Sequence, residues 1–297
     1  MTTRELTRPP RLAGRYAKAA LGALPLVRRL RSDPASGADN LTLSLADLEI
    51  RPERLAEYRR ICCFGAGSAV PATYPHLLAF PLQLALMTDR TFPFAALGLV
   101  HIGNRIDHTR PLSLGDRLDV TVQACDQRPH PRGHQVTLVS RARVDSEVVW
   151  TEEMVLLSRH HAPSIKTPPA SGATTDVPLR PPKTSVDWRL PPNLGRSYAA
   201  VSGDRNPIHL YDVTAKAFGF RTHIAHGMWT MARALAELET RLPASYAVHV
   251  VFKKPVALPG AVGFGSAERE GMIDFGVTSG GGDTTHMLGR VVPGRTG

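Results

Sequence analysis

The chain has 297 residues, of which 42% are apolar, enough for two domains with a core each. Its formal net charge is +10, and its three cysteines stand in neither a paired nor a metal-binding spacing, which argues against a disulfide-stapled secreted fold and against a zinc module. No run approaches the roughly 20 apolar residues of a membrane span, and the sparse cysteines predict a reducing, cytoplasmic compartment.

Residues 1–37 form a basic extension. Arg4, Arg8, Arg11, Arg15, Lys18, Arg28, Arg29 and Arg31 stand there against only Glu5 and Asp33. Such an arm attracts phosphates, an acidic protein or an anionic membrane surface, or else it is a solvated extension. Tyr16 is its one aromatic residue, so nucleic acid is not expected as a partner. The apolar stretch Ala19 to Val27 is broken by Pro25 and followed by Arg28-Arg29, with no small-residue cleavage site, so it does not read as a secretory signal.

Residues 38–158 predict a first domain. A short helix falls around 52–62, an apolar helix around 82–87, and strands at 117–125, 134–144 and 147–158. Gly65-Ala66-Gly67-Ser68 lacks the third glycine of a dinucleotide loop. Cys62 and Cys63 read as small core residues rather than nucleophiles. Residues 159–186, rich in Pro, Ser and Thr, read as a linker, and His160-His161 within it has no carboxylate or thiol nearby to complete a metal site.

Residues 187–297 predict a second domain. A short helix around 193–201 precedes an apolar helix in which Met228, Met231, Ala232, Leu235, Leu238 and Leu242 recur at helical steps, with Glu237 and Arg241 one turn apart outside. Strands follow at 246–252, 262–268, 271–278 and 284–292. Helix first and strands after implies an antiparallel sheet with a helix on one face. The halves echo each other. Arg110-Pro111-Leu112-Ser113-Leu114 and Lys254-Pro255-Val256-Ala257-Leu258 share one pattern, and Tyr58 and Tyr198 precede similar segments in the same order. A duplicated domain is the simplest source of both echoes.

Chemistry concentrates in residues 198–227. Ser202-Gly203-Asp204-Arg205-Asn206-Pro207 is turn-forming, and Pro207 stiffens the turn. Asp204 and His209 are therefore held five residues apart on a constrained loop, which suits orienting a water and moving a proton. Asp212 is a candidate N-cap for a helix at 213–218, and Gly219 a candidate stop. His226-Gly227 precedes the apolar helix, whose first N–H groups lack internal partners and can hold a carbonyl oxygen as it gains negative charge. Singly, an Asp or His on a loop is more often a cap or a surface residue; the constellation and its spacing carry the reading.

That constellation, Tyr198, Ser202-Gly203-Asp204-Arg205-Asn206-Pro207-Ile208-His209 and then Ala225-His226-Gly227-Met228, resembles the MaoC-like, R-specific enoyl-thioester hydratase family. The resemblance implies an α+β double hotdog over residues 38–297, in which a curved antiparallel sheet wraps a central helix twice. It implies reversible addition of water to a trans-2-enoyl thioester of CoA or an acyl-carrier protein, giving the (3R)-hydroxyacyl thioester. Asp204 and His209 would be the acid/base pair, Gly227 the oxyanion-hole donor, and Ser202 and Asn206 the supports of the loop. No metal and no cofactor are implied. Aligning Tyr58 with Tyr198 puts Phe64 where Asp204 stands, so the first domain would be a degenerate hotdog that binds the acyl chain, with Leu84 and Leu86 among its lining. The Leu21–Pro25 stretch, Tyr74-Pro75 and Phe92-Pro93-Phe94 add a likeness to actinobacterial (3R)-hydroxyacyl dehydratases of long-chain lipid metabolism. The basic arm is then a candidate dock for an acidic carrier protein or for peripheral membrane contact, and either a monomer or a homodimer is compatible with a double hotdog. The alternatives are a hotdog acyl-thioesterase, which would be expected to carry a carboxylate between Met228 and Leu235, and a non-catalytic acyl-thioester-binding subunit.

Overall fold

The computed structural model describes residues 2–22, 41–67, 69–159, 177–178 and 180–294. Arg28, Arg29, Arg31, Ser68, His160-His161 and most of the Pro-rich linker lie outside them. In chain order the elements are β1 (Thr2–Leu6), α1 (Leu12–Gly22), β2 (Leu41–Glu49), α2 (Pro52–Cys62), α3 (Pro75–Met87), β3 (Leu99–His108), β4 (Arg117–His130), β5 (Gly133–Val144) and β6 (Glu147–Ser158). They continue with β7 (Val186–Leu190), α4 (Leu194–Ser202), α5 (Asp212–Ala217), α6 (Gly227–Glu237), β8 (Tyr246–Phe252), β9 (Gly260–Arg269), β10 (Met272–Ser279) and β11 (Thr285–Pro293). Short 3-10 turns cover Pro207–His209 and Glu239–Arg241. None of the described helices is long and apolar enough to cross a membrane.

The chain forms two compact units: one from residues 1–49, 75–102 and 116–171, the other from 50–74, 103–115 and 172–297. In the first, the strands run in the order β1-β2-β4-β5-β6, antiparallel except for the parallel pair β1–β2. Helix α3 packs against β2, β4 and β5. It is buried on every side except at Pro81, as an apolar stretch without a polar face must be. Its two polar side chains are paired inside the core: His76 Nδ1 lies 2.9 Å from the fully buried Glu152 carboxylate, and Gln83 Nε2 donates to Glu152 at 2.8 Å and to Ser140 at 3.0 Å. Unpaired, each of these groups would cost the fold on the order of 1–3 kcal/mol. The basic arm supplies β1, which edges the sheet beside β2, and α1, which packs on α3; Arg4, Arg8, Arg11 and Lys18 remain exposed.

In the second unit, residues 103–108 of β3 open a sheet of order β3-β8-β11-β10-β9-β7, antiparallel throughout. Helix α6 lies against β10. Helix α2, although it precedes α3 in sequence, packs on α4 and α6, and the Trp229 indole N–H donates to the Ile61 carbonyl at 3.0 Å. Each unit is a sheet, antiparallel but for β1, packed on a central helix, so the chain is an α+β double hotdog.

The echo between the halves is visible within this unit. Tyr58 and Tyr198 are both fully buried, on α2 and α4, with ring centroids 6.4 Å apart. Five residues beyond each, Cys63 and Gly203 end their helices in the left-handed conformation, at φ 61° and 81°. The Arg110-Pro111-Leu112 and Lys254-Pro255-Val256 segments each receive a backbone N–H from a loop: Val70 to Leu112 at 3.1 Å and Ala225 to Val256 at 2.9 Å.

Two local expectations are corrected. Asp212 is not an N-cap; Tyr211 holds that position, and the Asp212 carboxylate instead accepts the His223 backbone N–H at 2.9 Å and the His223 ring at 2.5 Å. Glu237 and Arg241 lie on separate elements, because α6 stops at Glu237. Glu237 pairs with Arg233 at 2.5 Å, and Arg241 reaches Ser266 and Glu268.

Candidate active site

The site begins where α4 ends. Gly203, the left-handed cap, returns its N–H to Ala199 at 3.0 Å and turns the chain out of the helix. The loop beyond folds on its own polar groups. Ser202 Oγ donates to the Tyr198 carbonyl at 2.8 Å and accepts the Asp204 N–H at 3.1 Å. Asp204 Oδ1 accepts the Asn206 N–H at 3.0 Å, an Asx turn. Asn206 then caps the Pro207–His209 turn, its carbonyl taking the His209 N–H at 3.0 Å. The chain thus passes from carboxylate to imidazole with the N–H groups of Asp204, Asn206, Ile208 and His209 bonded to neighbouring residues. One glycine outside the motif permits this placement: a Cβ on Gly195 would lie 1.9 Å from the His209 carbonyl oxygen.

His209 is buried, and its Nδ1 donates to the Ile224 carbonyl at 2.8 Å. That bond puts the ring proton on Nδ1 and the lone pair on Nε2. Burial, and after it the charge His226 would carry, push the His209 pKa down to about 3, against the pull of Asp204 and the Ile224 carbonyl. The imidazole is therefore neutral throughout the physiological range. Asp204 remains about a quarter exposed, open to water.

A second segment closes on the loop from behind. Ile224 N–H donates to the Ile208 carbonyl at 3.0 Å. His226 Nε2 donates to the Asp204 carbonyl at 3.0 Å and lies 3.8 Å from its carboxylate. Its ring stacks on His209 with centroids 3.7 Å apart and 26° between the planes, and Tyr198 covers it at 4.9 Å. Gly227 follows as the first residue of α6, its N–H without an acceptor in the helix. A Cβ on Gly227 would meet the Phe252 ring at 3.1 Å, so a side chain here would need that ring to give way.

The structure thus brings Ser202, Asp204, Asn206 and His209 onto one loop and sets Gly227 at a helix N-terminus next to His226. Sequence reasoning missed the place of His226, Gly195 and Ile224 in this arrangement, and it missed Arg54, whose guanidinium donates to the Val201 carbonyl at the end of α4. The pairing of His226 with Gly227 was the one available signal for the first; nothing local marks the others.

Asp204, His209 and His226 also offer ligand-capable atoms within 4.8 Å of one another. Their geometry fits a metal ion poorly. Stacked imidazoles direct their in-plane lone pairs side by side rather than to one point, and His226 Nε2 and His209 Nδ1 each already meet a carbonyl.

A double hotdog with a loop-borne Asp–His pair beside a helix N-terminus has the form of a MaoC-like domain, and a MaoC-like family model matches residues 173–287. The chain is 39% identical over 258 residues to 3-hydroxyacyl-thioester dehydratase X of Mycobacterium tuberculosis, covering 87% of this chain and 89% of that protein. The crystal structure of HtdX from M. tuberculosis superposes with a TM-score of 0.74 at 36% identity over 85% of this chain and 99% of that one. A shorter match, 40% over 65 residues, covers 20% of this chain and 45% of the (R)-specific enoyl-CoA hydratase of Rhodospirillum rubrum. The chain belongs to the MaoC-like dehydratase family.

Proposed function

We propose that the protein is a hydro-lyase that adds water reversibly across trans-2-enoyl thioesters and, in reverse, dehydrates (3R)-hydroxyacyl thioesters. The observation that carries this reading is the fixed tautomer of His209: with Nδ1 committed to Ile224, the Nε2 lone pair stands ready to exchange a proton beside Asp204. In hydration, Asp204 and His209 hold the water. As its oxygen bonds to C3, one of its O–H bonds breaks and that proton passes to the pair, which then gives a proton to C2 and returns to its starting state. The thioester carbonyl, gaining negative charge in between, takes the Gly227 N–H at the positive end of α6. Ser202 and Asn206 keep the loop in shape through the bonds described above. Dehydration runs the same steps backwards, with no metal or cofactor in any of them.

The substrates proposed are CoA and acyl-carrier-protein thioesters, and the role proposed for the first unit is to bind the acyl chain. The exposed cations Arg4, Arg8, Arg11 and Lys18 support docking of an acidic carrier protein. A cytoplasmic setting is supported by three cysteines, all free. The thioesterase alternative loses ground on one observation: Glu237, at the end of α6, is already held by the Trp188 indole at 3.0 Å and by Arg233.

Product analysis tests the reading. Incubation with trans-2-enoyl-CoA should give the (3R)-hydroxyacyl-CoA with the thioester intact. Release of free CoA without hydration would establish a thioesterase instead.

A further inference from the structure

We propose that His226 is a positioning residue of this site, fixing the Asp204 main chain with one edge of its ring and the exchanging imidazole of His209 with its face. The proposal rests on the hydro-lyase reading above and adds to it a residue to which that reading gave no role. The bond from His226 Nε2 to the Asp204 carbonyl ties the loop at the residue that must face the water. The same ring lies 3.7 Å from His209 and shields one face of it from solvent. It is pinned in turn: Tyr198 packs on it, and the neighbouring Ala225 N–H is bonded to Val256. The segment 224–227 therefore acts as a single strap. Ile224 sets the tautomer of His209, His226 sets its plane and the position of Asp204, and Gly227 presents the N–H for the carbonyl. By covering that face, the His226 ring also adds to the burial that keeps His209 in the neutral form that accepts a proton.

The test compares wild type, His226→Phe and His226→Gln on enoyl-CoA across pH, with melting temperature recorded for each. Phe preserves the flat ring over His209 but has no N–H for Asp204. Its kcat should fall by roughly 10- to 100-fold with KM little changed. Gln can still donate to the carbonyl and should recover part of that kcat. It uncovers His209, however, so the imidazole should titrate closer to the ordinary histidine range, a change followed directly by NMR of the ring and independent of turnover. Wild-type kcat in His226→Phe, or an unmoved His209 titration in His226→Gln, would overturn the proposal. So would a loss of activity explained wholly by a lower melting temperature. A shifted titration together with no turnover in the wild type would retain the coupling of His226 to His209 and overturn the hydro-lyase reading instead.

Discussion

The guanidinium of Arg54 donates to the carbonyl of Val201 through Nε at 3.1 Å and Nη2 at 2.9 Å, across 147 residues of chain. Val201 stands in the last turn of α4, immediately before the loop that carries Asp204. A cation at a helix C-terminus that also satisfies an end carbonyl stabilises the turn twice, by hydrogen bonding and by its charge. Arg54→Ala should therefore cost about 1.5–3 kcal/mol of stability and lower kcat, because the helix end positions the loop. Arg54→Lys, which cannot make the two-pronged contact, should recover only part of either. Denaturant unfolding and steady-state kinetics on the two variants check this.

Gly195 should tolerate no side chain. A Cβ there would meet a main-chain carbonyl, that of His209, and a main-chain atom cannot swing away as a flexible side chain can. Gly195→Ala should lose about 1–3 kcal/mol of stability and a larger share of activity, since relief of the clash must displace His209. Stability and kcat both within error of the wild type would show that α4 and the loop are looser than described.

Acid should act through two buried histidines. Burial first and His226 second hold His209 down to about 3, and burial first and Arg110 second hold His108 down to about 4. Both values lie below the unfolded 6.5, so between those pH values the unfolded chain binds more protons than the folded one, and stability falls as pH falls. The penalty is absent above pH 6.5 and grows as pH drops towards 3 to 4, reaching on the order of 4 kcal/mol for a shift of this size. Among the described residues neither ring nitrogen of His108 has a hydrogen-bond partner. His108→Phe should therefore keep the fold and flatten the slope of unfolding free energy against pH. The acid limb of kcat/KM should likewise lie well below 6.5, and a limb at 6.5 would contradict the neutral, buried His209.

The carrier-protein reading turns on charge. Deleting the arm would also remove β1 and α1, which pack on the first unit, so substitution is the cleaner probe. Arg8→Gln, Arg11→Gln and Lys18→Gln together should weaken carrier-protein binding at low salt and leave turnover of CoA thioesters as it was. Unchanged carrier affinity would remove the arm from substrate docking.

What the sequence disclosed follows the range of the interactions. The Asp204–His209 loop was legible because Ser202, Asp204 and Asn206 bond to backbone within a few residues of themselves, so residue type and spacing contain the geometry. Strands β6 and β8 fall on the residues expected, since one face of each is buried in strict alternation or nearly so. Strand β3 was not legible: Gly103 and Asn104 interrupt its apolar pattern at its middle, and both are buried all the same. The edge strands β1 and β7, five residues each, are too short to show a period. Asp212 was misassigned because its partner, His223, lies eleven residues away, beyond any capping pattern. Arg54 and Gly195 were missed because their roles exist only through contacts made in three dimensions.

The central claim, that Asp204 and His209 move the protons of a hydration, is tested most directly by the loss of enoyl absorbance with trans-2-enoyl-CoA substrates from butenoyl to hexadecenoyl. The wild type should turn over some range of these chains. Asp204→Asn and His209→Ala should each lower kcat by about 100-fold or more while the protein stays folded. Turnover that survives both substitutions would contradict the account.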